Sequence, residues 1–199
     1  MISLRPPSAE EMRELLRAHS DAPFSYAEVG ATRGAFPASY TQIHRAAVLG
    51  RGEAAFHTAK NALVRWASFE LSWVRPYPQA APAKGILIAI VVHVAGLWWK
   101  NVSRVIYTVD ETGAFGFAYG TLSTHAERGE ELFRVELSPE TEEVTYRIQA
   151  FARPRHPLAR LAAPLARATQ RRFGNDSIAA MRRQVAATGP SRLAVTSAP

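Results

Sequence analysis

Four short runs between Ser103 and Ala150 alternate apolar residues with small or polar ones, and turn sequences separate them. An antiparallel meander is the arrangement that keeps every apolar residue of this stretch on one side. Pairing Val109 with Phe115 across Asp110-Glu111-Thr112-Gly113-Ala114 sets Tyr107 opposite Phe117, Val105 opposite Tyr119 and Ser103 opposite Thr121. In the next hairpin Thr121 is expected opposite Glu131, Tyr119 opposite Phe133, Phe117 opposite Val135 and Phe115 opposite Leu137. In the third, Leu137 meets Val144, Val135 meets Tyr146, Phe133 meets Ile148 and Glu131 meets Ala150. A slip of one residue in any pair would turn its apolar set to the other face, so three hairpins in agreement define a sheet with one apolar side. The other side holds Gly116, Ala118, Gly120, Arg134, Glu136, Thr145, Arg147 and Gln149, and is expected to face water.

Helices flank this meander. Ser8 and Glu11 have the spacing of a capping box ahead of the apolar stripe Met12, Leu15, Leu16. Phe56, Ala59, Leu63 and Trp66 recur at helical spacing after Gly52. Phe24–Val29 and Tyr40–Val48 read as an early extended pair, and Phe69–Val74 and Ile86–Val94 as two further strands. After Arg153-Pro154, Leu158, Leu161, Leu165 and Ala168 predict a long C-terminal helix from about Pro157, kinked at Pro164. Gly174-Asn175-Asp176 is expected to interrupt or recap it, and Ile178, Met181 and Val185 resume the stripe.

The chain has 199 residues, 47% hydrophobic and 21% charged, enough apolar material for one core. Residues 1–186 are expected to form one domain and 187–199 a mobile tail. There is no cysteine, hence no disulfide frame and no thiolate chemistry. The N-terminus lacks a basic start followed by an apolar run, and the apolar segment from Gly85 to Trp99 is too short to span a bilayer as a helix. A cytoplasmic location is expected. The net charge of +7 comes from the C-terminal part, where Arg160, Arg167, Arg171 and Arg172 stand on a helix face. Such a face is either solvated or makes weak contact with an anionic surface. No aromatic platform interleaves with the arginines, which argues against specific nucleic-acid binding.

The expected register leaves one polar row at an end of the apolar face, made by Ser103, Thr121, Glu131 and Ala150. The neighbouring loop carries His125, Glu127 and Arg128. Glu131 is either a strand-end carboxylate reaching water or a backbone amide, or a site residue orienting His125 and working as general acid or base. His125 has the same two readings, loop cap or site residue. His93, within an apolar strand, reads as a hydrogen-bonded core histidine. No histidine spacing suits a metal, and no glycine-rich phosphate loop is present, so neither metal nor cofactor is expected.

The run Gly116-Phe117-Ala118-Tyr119-Gly120-Thr121-Leu122 with His125, followed by Gly129-Glu130-Glu131, Phe133 and Ala150-Phe151-Ala152-Arg153-Pro154, resembles the family called domain of unknown function nineteen-ninety. Asn101-x-x-Arg104-Val105-x-Tyr107 and Tyr26-x-x-Val29-Gly30 extend the resemblance to about residues 24–173, with Ala152 where a serine is common. It implies an α+β fold of the helix-grip type, similar to START domains, polyketide cyclases and pollen-allergen-like proteins. In that fold a curved antiparallel sheet wraps around a long C-terminal helix, here with two shorter N-terminal helices, and apolar ligands are enclosed between them.

Three functions follow as expectations. The first is a binding or carrier domain for an apolar small molecule such as a lipid, isoprenoid or aromatic metabolite, held against Ser103, Tyr107, Phe117, Tyr119, Thr121, Phe133 and Tyr146. The second is a cofactor-free cyclase or dehydratase using His125 and Glu131, with Tyr119, at the polar end. The third is a peripheral protein docking its arginine-rich helix on an anionic surface.

Overall fold

The computed structural model describes residues 1–123, 125, 127–155 and 163–187, with side chains in the last range from residue 165. In chain order the elements are β1 (Ile2–Ser3), α1 (Ala9–Arg17), β2 (Thr41–Arg51), α2 (Gly52–Val64), β3 (Val74–Pro78), β4 (Leu87–Val94), β5 (Leu97–Glu111), β6 (Ala114–Thr121), β7 (Glu127–Leu137), β8 (Glu143–Pro154) and α3 (Ala163–Ala187). All strand pairs are antiparallel, in the order β2-β8-β7-β6-β5-β4-β3, with β1 added beside β5. The sheet is curved and α2 and α3 pack into its concave side, which is the helix-grip arrangement.

The meander forms, with two departures in register. Between β7 and β8 the pairs Leu137–Val144, Val135–Tyr146, Phe133–Ile148 and Glu131–Ala150 are those expected. Between β6 and β7 the register is two residues away from expectation: Phe117 lies opposite Phe133 and Tyr119 opposite Glu131. A shift of two leaves every side chain on its face, so the apolar pattern is indifferent to it. Between β5 and β6, Ser103–Thr121 and Val105–Tyr119 pair as expected, and a bulge at Ile106 then brings Tyr107 opposite Ala118. One extra residue inverts the alternation beyond it, and Tyr107 therefore belongs to the convex face.

The concave core is built from Phe117, Phe133, Tyr146 and Ile148 of the sheet, Leu63 of α2, Trp66 and Phe69 after it, and Met181 and Val185 of α3. Phe133 is fully buried and contacts Phe69, Phe117, Tyr119 and Phe173 at ring-centroid separations of 5.0 to 6.2 Å. Each such side chain contributes on the order of 1.5–3 kcal/mol by leaving water. α3 runs without a break through Gly174-Asn175-Asp176, correcting the expected interruption. The expected start near Pro157 and the arginine at 160 lie outside the described residues.

The convex face departs most from expectation, because much of it is covered. Met12, Leu15 and Leu16 of α1 pack on Leu87, Ala89 and Val91 of β4. Ser8 caps α1 by accepting from the Glu11 amide at 3.1 Å, while the Glu11 carboxylate pairs with Lys100 instead of returning to the cap. The Phe24–Tyr40 segment is not a strand. Phe24 makes a single bridge to Leu122, β2 pairs with β8, and Tyr26, Phe36 and Tyr40 gather around Phe151. Gly120 makes this possible, since a Cβ there would sit 2.3 Å from the Tyr26 hydroxyl oxygen.

Two smaller corrections concern the far edge. Phe69–Val74 is not a strand; a short turn at Ala67–Phe69 precedes β3, which runs through Pro76 and Pro78. β3 pairs only with β4, and prolines at alternate positions direct both missing N–H groups to the free edge. His93 is exposed and stacked on Trp98 at 4.2 Å, not a core histidine. The segment from Gly85 to Trp99 forms β4 and the start of β5, and among the described residues no helix is long and apolar enough to cross a membrane.

Candidate functional site

Where α3 crosses the concave face the side chains do not meet, and a cavity of about 580 Å³ remains. Phe69, Trp73, Ile90, Val92, Ile148 and Phe173 give it apolar walls. Its polar groups gather where β6 and β7 approach α3: Tyr119, His125, Glu127, Glu131 and Gln170. Asn101 and Arg45 line it as well. The Arg45 stem lies along α3, its Cγ 3.4 Å from the place a Cβ of Gly174 would take.

Cross-strand pairing positions the central contact. Because Tyr119 and Glu131 are opposed on neighbouring strands, the tyrosine hydroxyl donates to the Glu131 carboxylate at 2.6 Å. Glu127, four residues earlier, receives the Gln170 amide of α3 on both its oxygens, at 3.0 and 2.9 Å. The Glu127 backbone N–H donates to Nδ1 of His125 at 3.1 Å, leaving Nε2 as the protonated nitrogen of the neutral ring.

Removal from water dominates the electrostatics. It pushes the Glu131 carboxyl up to about 7, against the Tyr119 hydrogen bond and with added repulsion from Glu127. Burial raises Glu127 too, opposed by Gln170. It holds His125 down at about 4, so the imidazole is uncharged at neutral pH. Burial, then the adjacent Glu131, raises the Tyr119 phenol. Glu131 thus stands close to half-protonated near neutrality, able to give or take a proton.

Of the residues singled out in the sequence, Tyr119, His125 and Glu131 are brought together on the cavity wall. Phe117, Phe133 and Tyr146 are consumed by the packed core, the Tyr146 hydroxyl bonding Ser177 at 2.9 Å. Thr121 is taken by backbone and loop, its hydroxyl accepting from the Gly129 N–H at 3.0 Å and bonding Ser25 at 2.6 Å. Ser103 is buried in the sheet, its hydroxyl without a hydrogen-bond partner among the described residues, and it does not line the cavity. Tyr107 lies on the far side of the sheet, its hydroxyl against Thr32 at 2.7 Å. On α3, Arg167, Arg171 and Arg172 are all exposed, and Arg172 also sits over the Trp73 ring at 4.5 Å and 3.5 Å from Asp176.

Sequence reasoning assigned no role to Gln170, Glu127 or Glu130. Gln170 and Thr169 lie one turn before Phe173, and polar residues on a core-facing helix stripe are the signal that marks them. Glu130 is 2% exposed on the convex side and accepts from the Tyr26 hydroxyl at 2.8 Å, from the Gly30 and Thr32 amides at 2.7 and 3.0 Å, and from the Thr32 hydroxyl. It pins the Tyr26–Thr32 segment to the sheet. A second groove of about 850 Å³ lies beyond, among Arg33, Gln42, His44, Asp110, Arg134 and Gln149. Its walls are polar, and Arg134 is paired there with Glu136 at 3.1 Å, as befits a solvated surface.

Comparison with known proteins agrees with this architecture. A UPF0548 protein of Deinococcus radiodurans is 34% identical over 186 residues, covering 86% of this chain and 92% of the relative. A UPF0548 protein of Dictyostelium discoideum is 29% identical over 203 residues, covering 89% and 92%. Among solved structures, TTHA0849 from Thermus thermophilus superposes with a TM-score of 0.50 at 12% identity, over 75% of this chain and 99% of that one. At that identity the likeness speaks of fold alone. The family model described as Domain of unknown function (DUF1990) matches residues 25–180, and the chain belongs to that family.

Proposed function

We propose that this chain is a binding or carrier domain for an apolar small molecule held between the concave sheet face and α3. The observation that carries this reading is a half-open cavity of about 580 Å³, apolar on most sides and polar at one end. Sites for small organic ligands have this composition, with broad apolar contact for affinity and a few polar groups for orientation. Native mass spectrometry of gently purified protein tests it. The expected result is an added mass that denaturation releases, or uptake of the neutral dye Nile red by ligand-free protein; absence of both overturns it.

A second reading is favoured by one observation, the Glu131 carboxyl poised near 7 with Tyr119 at 2.6 Å. That pair suits proton transfer to a bound ligand, the chemistry of a cofactor-free cyclase or dehydratase. Conversion of the co-purified ligand, lost in Glu131→Gln while binding persists, would distinguish an enzyme from a carrier.

A further inference from the structure

We infer that the cavity takes an apolar ligand bearing a protonated amine, whose ammonium group lies between Glu131 and Glu127. The inference rests on the cavity being a ligand site and adds the chemical class of the ligand.

It follows from the donors and acceptors at the polar end. The carboxylates of Glu131 and Glu127 both line that end of the cavity, close enough for Glu127 to repel a charge on Glu131, and the described residues give them two donor groups: the Tyr119 hydroxyl on one oxygen of Glu131, and the Gln170 amide across both oxygens of Glu127. Neither carboxylate is ion-paired among the described residues. His125 adds no positive charge, since its Nδ1 is engaged by the Glu127 amide and burial keeps the ring neutral. Arg45 is on the row of Ile148 and Phe133, two pairs along from Glu131, with β8 between them, and its stem lies against Gly174.

The polar end is thus rich in acceptors, and the two cations near it among the described residues, Arg45 on the wall and the N-terminal ammonium that donates to the Lys100 carbonyl at 3.0 Å, pair with neither carboxylate, in surroundings where an uncompensated carboxylate is costly. An ammonium group supplies three donors, no acceptor and the missing charge. An alcohol supplies one donor and no charge. A carboxylate ligand would bring a third negative group against the other two.

Three ligands with one chain length test this: dodecylamine, dodecanol and dodecanoate competing with Nile red at pH 7.5. Dodecylamine is expected to displace the dye at concentrations about tenfold or more below dodecanol, the size of one charge-assisted hydrogen bond, with dodecanoate weakest. In Glu131→Gln, and separately in Glu127→Gln, the advantage of amine over alcohol should shrink several-fold, with a single cooperative urea transition certifying the variant's fold. An amine no better than the alcohol, a carboxylate that binds best, or an advantage unchanged in both variants overturns the inference and leaves the cavity a ligand site. If none of the three binds and the dye does not enter, the ligand-site reading falls and takes the inference with it.

Discussion

Glu130 and Glu131 are neighbours in β7, and the pleat turns them to opposite faces of the sheet. On the convex side Glu130 meets four donors, all from Tyr26 to Thr32, and every one of its hydrogen bonds is internal to the fold. On the concave side Glu131 meets one among the described residues, the Tyr119 hydroxyl, and otherwise faces the polar end of the cavity. Satisfaction separates the two roles more clearly than burial does. A buried carboxylate whose lone pairs are filled from the chain is a structural clamp, and one left under-filled beside an empty volume is fitted to receive something else.

The largest expected effect lies on the clamp. Glu130→Ala leaves the Tyr26 hydroxyl, the Thr32 hydroxyl and two amides without an acceptor in a closed environment. Chemical denaturation should show a loss of about 3–5 kcal/mol, the cost of breaking a buried charged network from one side. A loss below about 1 kcal/mol would break the contrast between the two glutamates, because surface substitutions do no more than that.

A smaller effect of opposite sign is expected at Glu131. Its carboxyl titrates near 7 in the fold against an ordinary 4.5, so between those values the native state holds a proton that the unfolded chain releases. Wild-type stability should therefore fall as pH rises through that window and level off above it. Glu131→Gln removes the titration and should be more stable than wild type at pH 8 by about 1–3 kcal/mol, the gain vanishing below about pH 5. Urea unfolding at the two pH values measures it. A loss of stability at pH 8 would make Glu131 a second clamp.

The smallest effect sharpens the concave side alone. Tyr119→Phe removes the one hydrogen bond that favours ionised Glu131, so the falling limb of the stability–pH curve should extend to higher pH. The stability change at pH 5 should be only about 1 kcal/mol. An unmoved limb would show that the hydroxyl has no hold on the carboxylate.

How much of this was legible beforehand follows from what alternation can encode. Period two assigns faces, so the concave positions of Phe117, Tyr119, Phe133, Tyr146 and Ile148 could be read from their spacing. It is blind to a shift of two, and the contact that matters most, Tyr119 on Glu131, exists because of such a shift. It is also blind to the bulge at Ile106, which took Tyr107 from the cavity set to the convex side. Glu130 was hidden for another reason: it sits on the face whose small and polar residues suggested water. The residues that cover it lie about a hundred positions away, beyond any local pattern.

The strand order carries a consequence for synthesis of the chain. β2 finds its partner only in β8, with Thr41 opposite Ala152 and Arg51 opposite Glu143. At about 5–20 residues per second, translation leaves β2 waiting on the order of 5–20 s after it is made, whereas each β6–β7–β8 hairpin can close within microseconds of completion. An unpaired strand invites neighbouring nascent chains, and His44 and Arg45 in its middle discourage such pairing. The last strand to emerge admits the first long one, and closure of the sheet is timed by the ribosome.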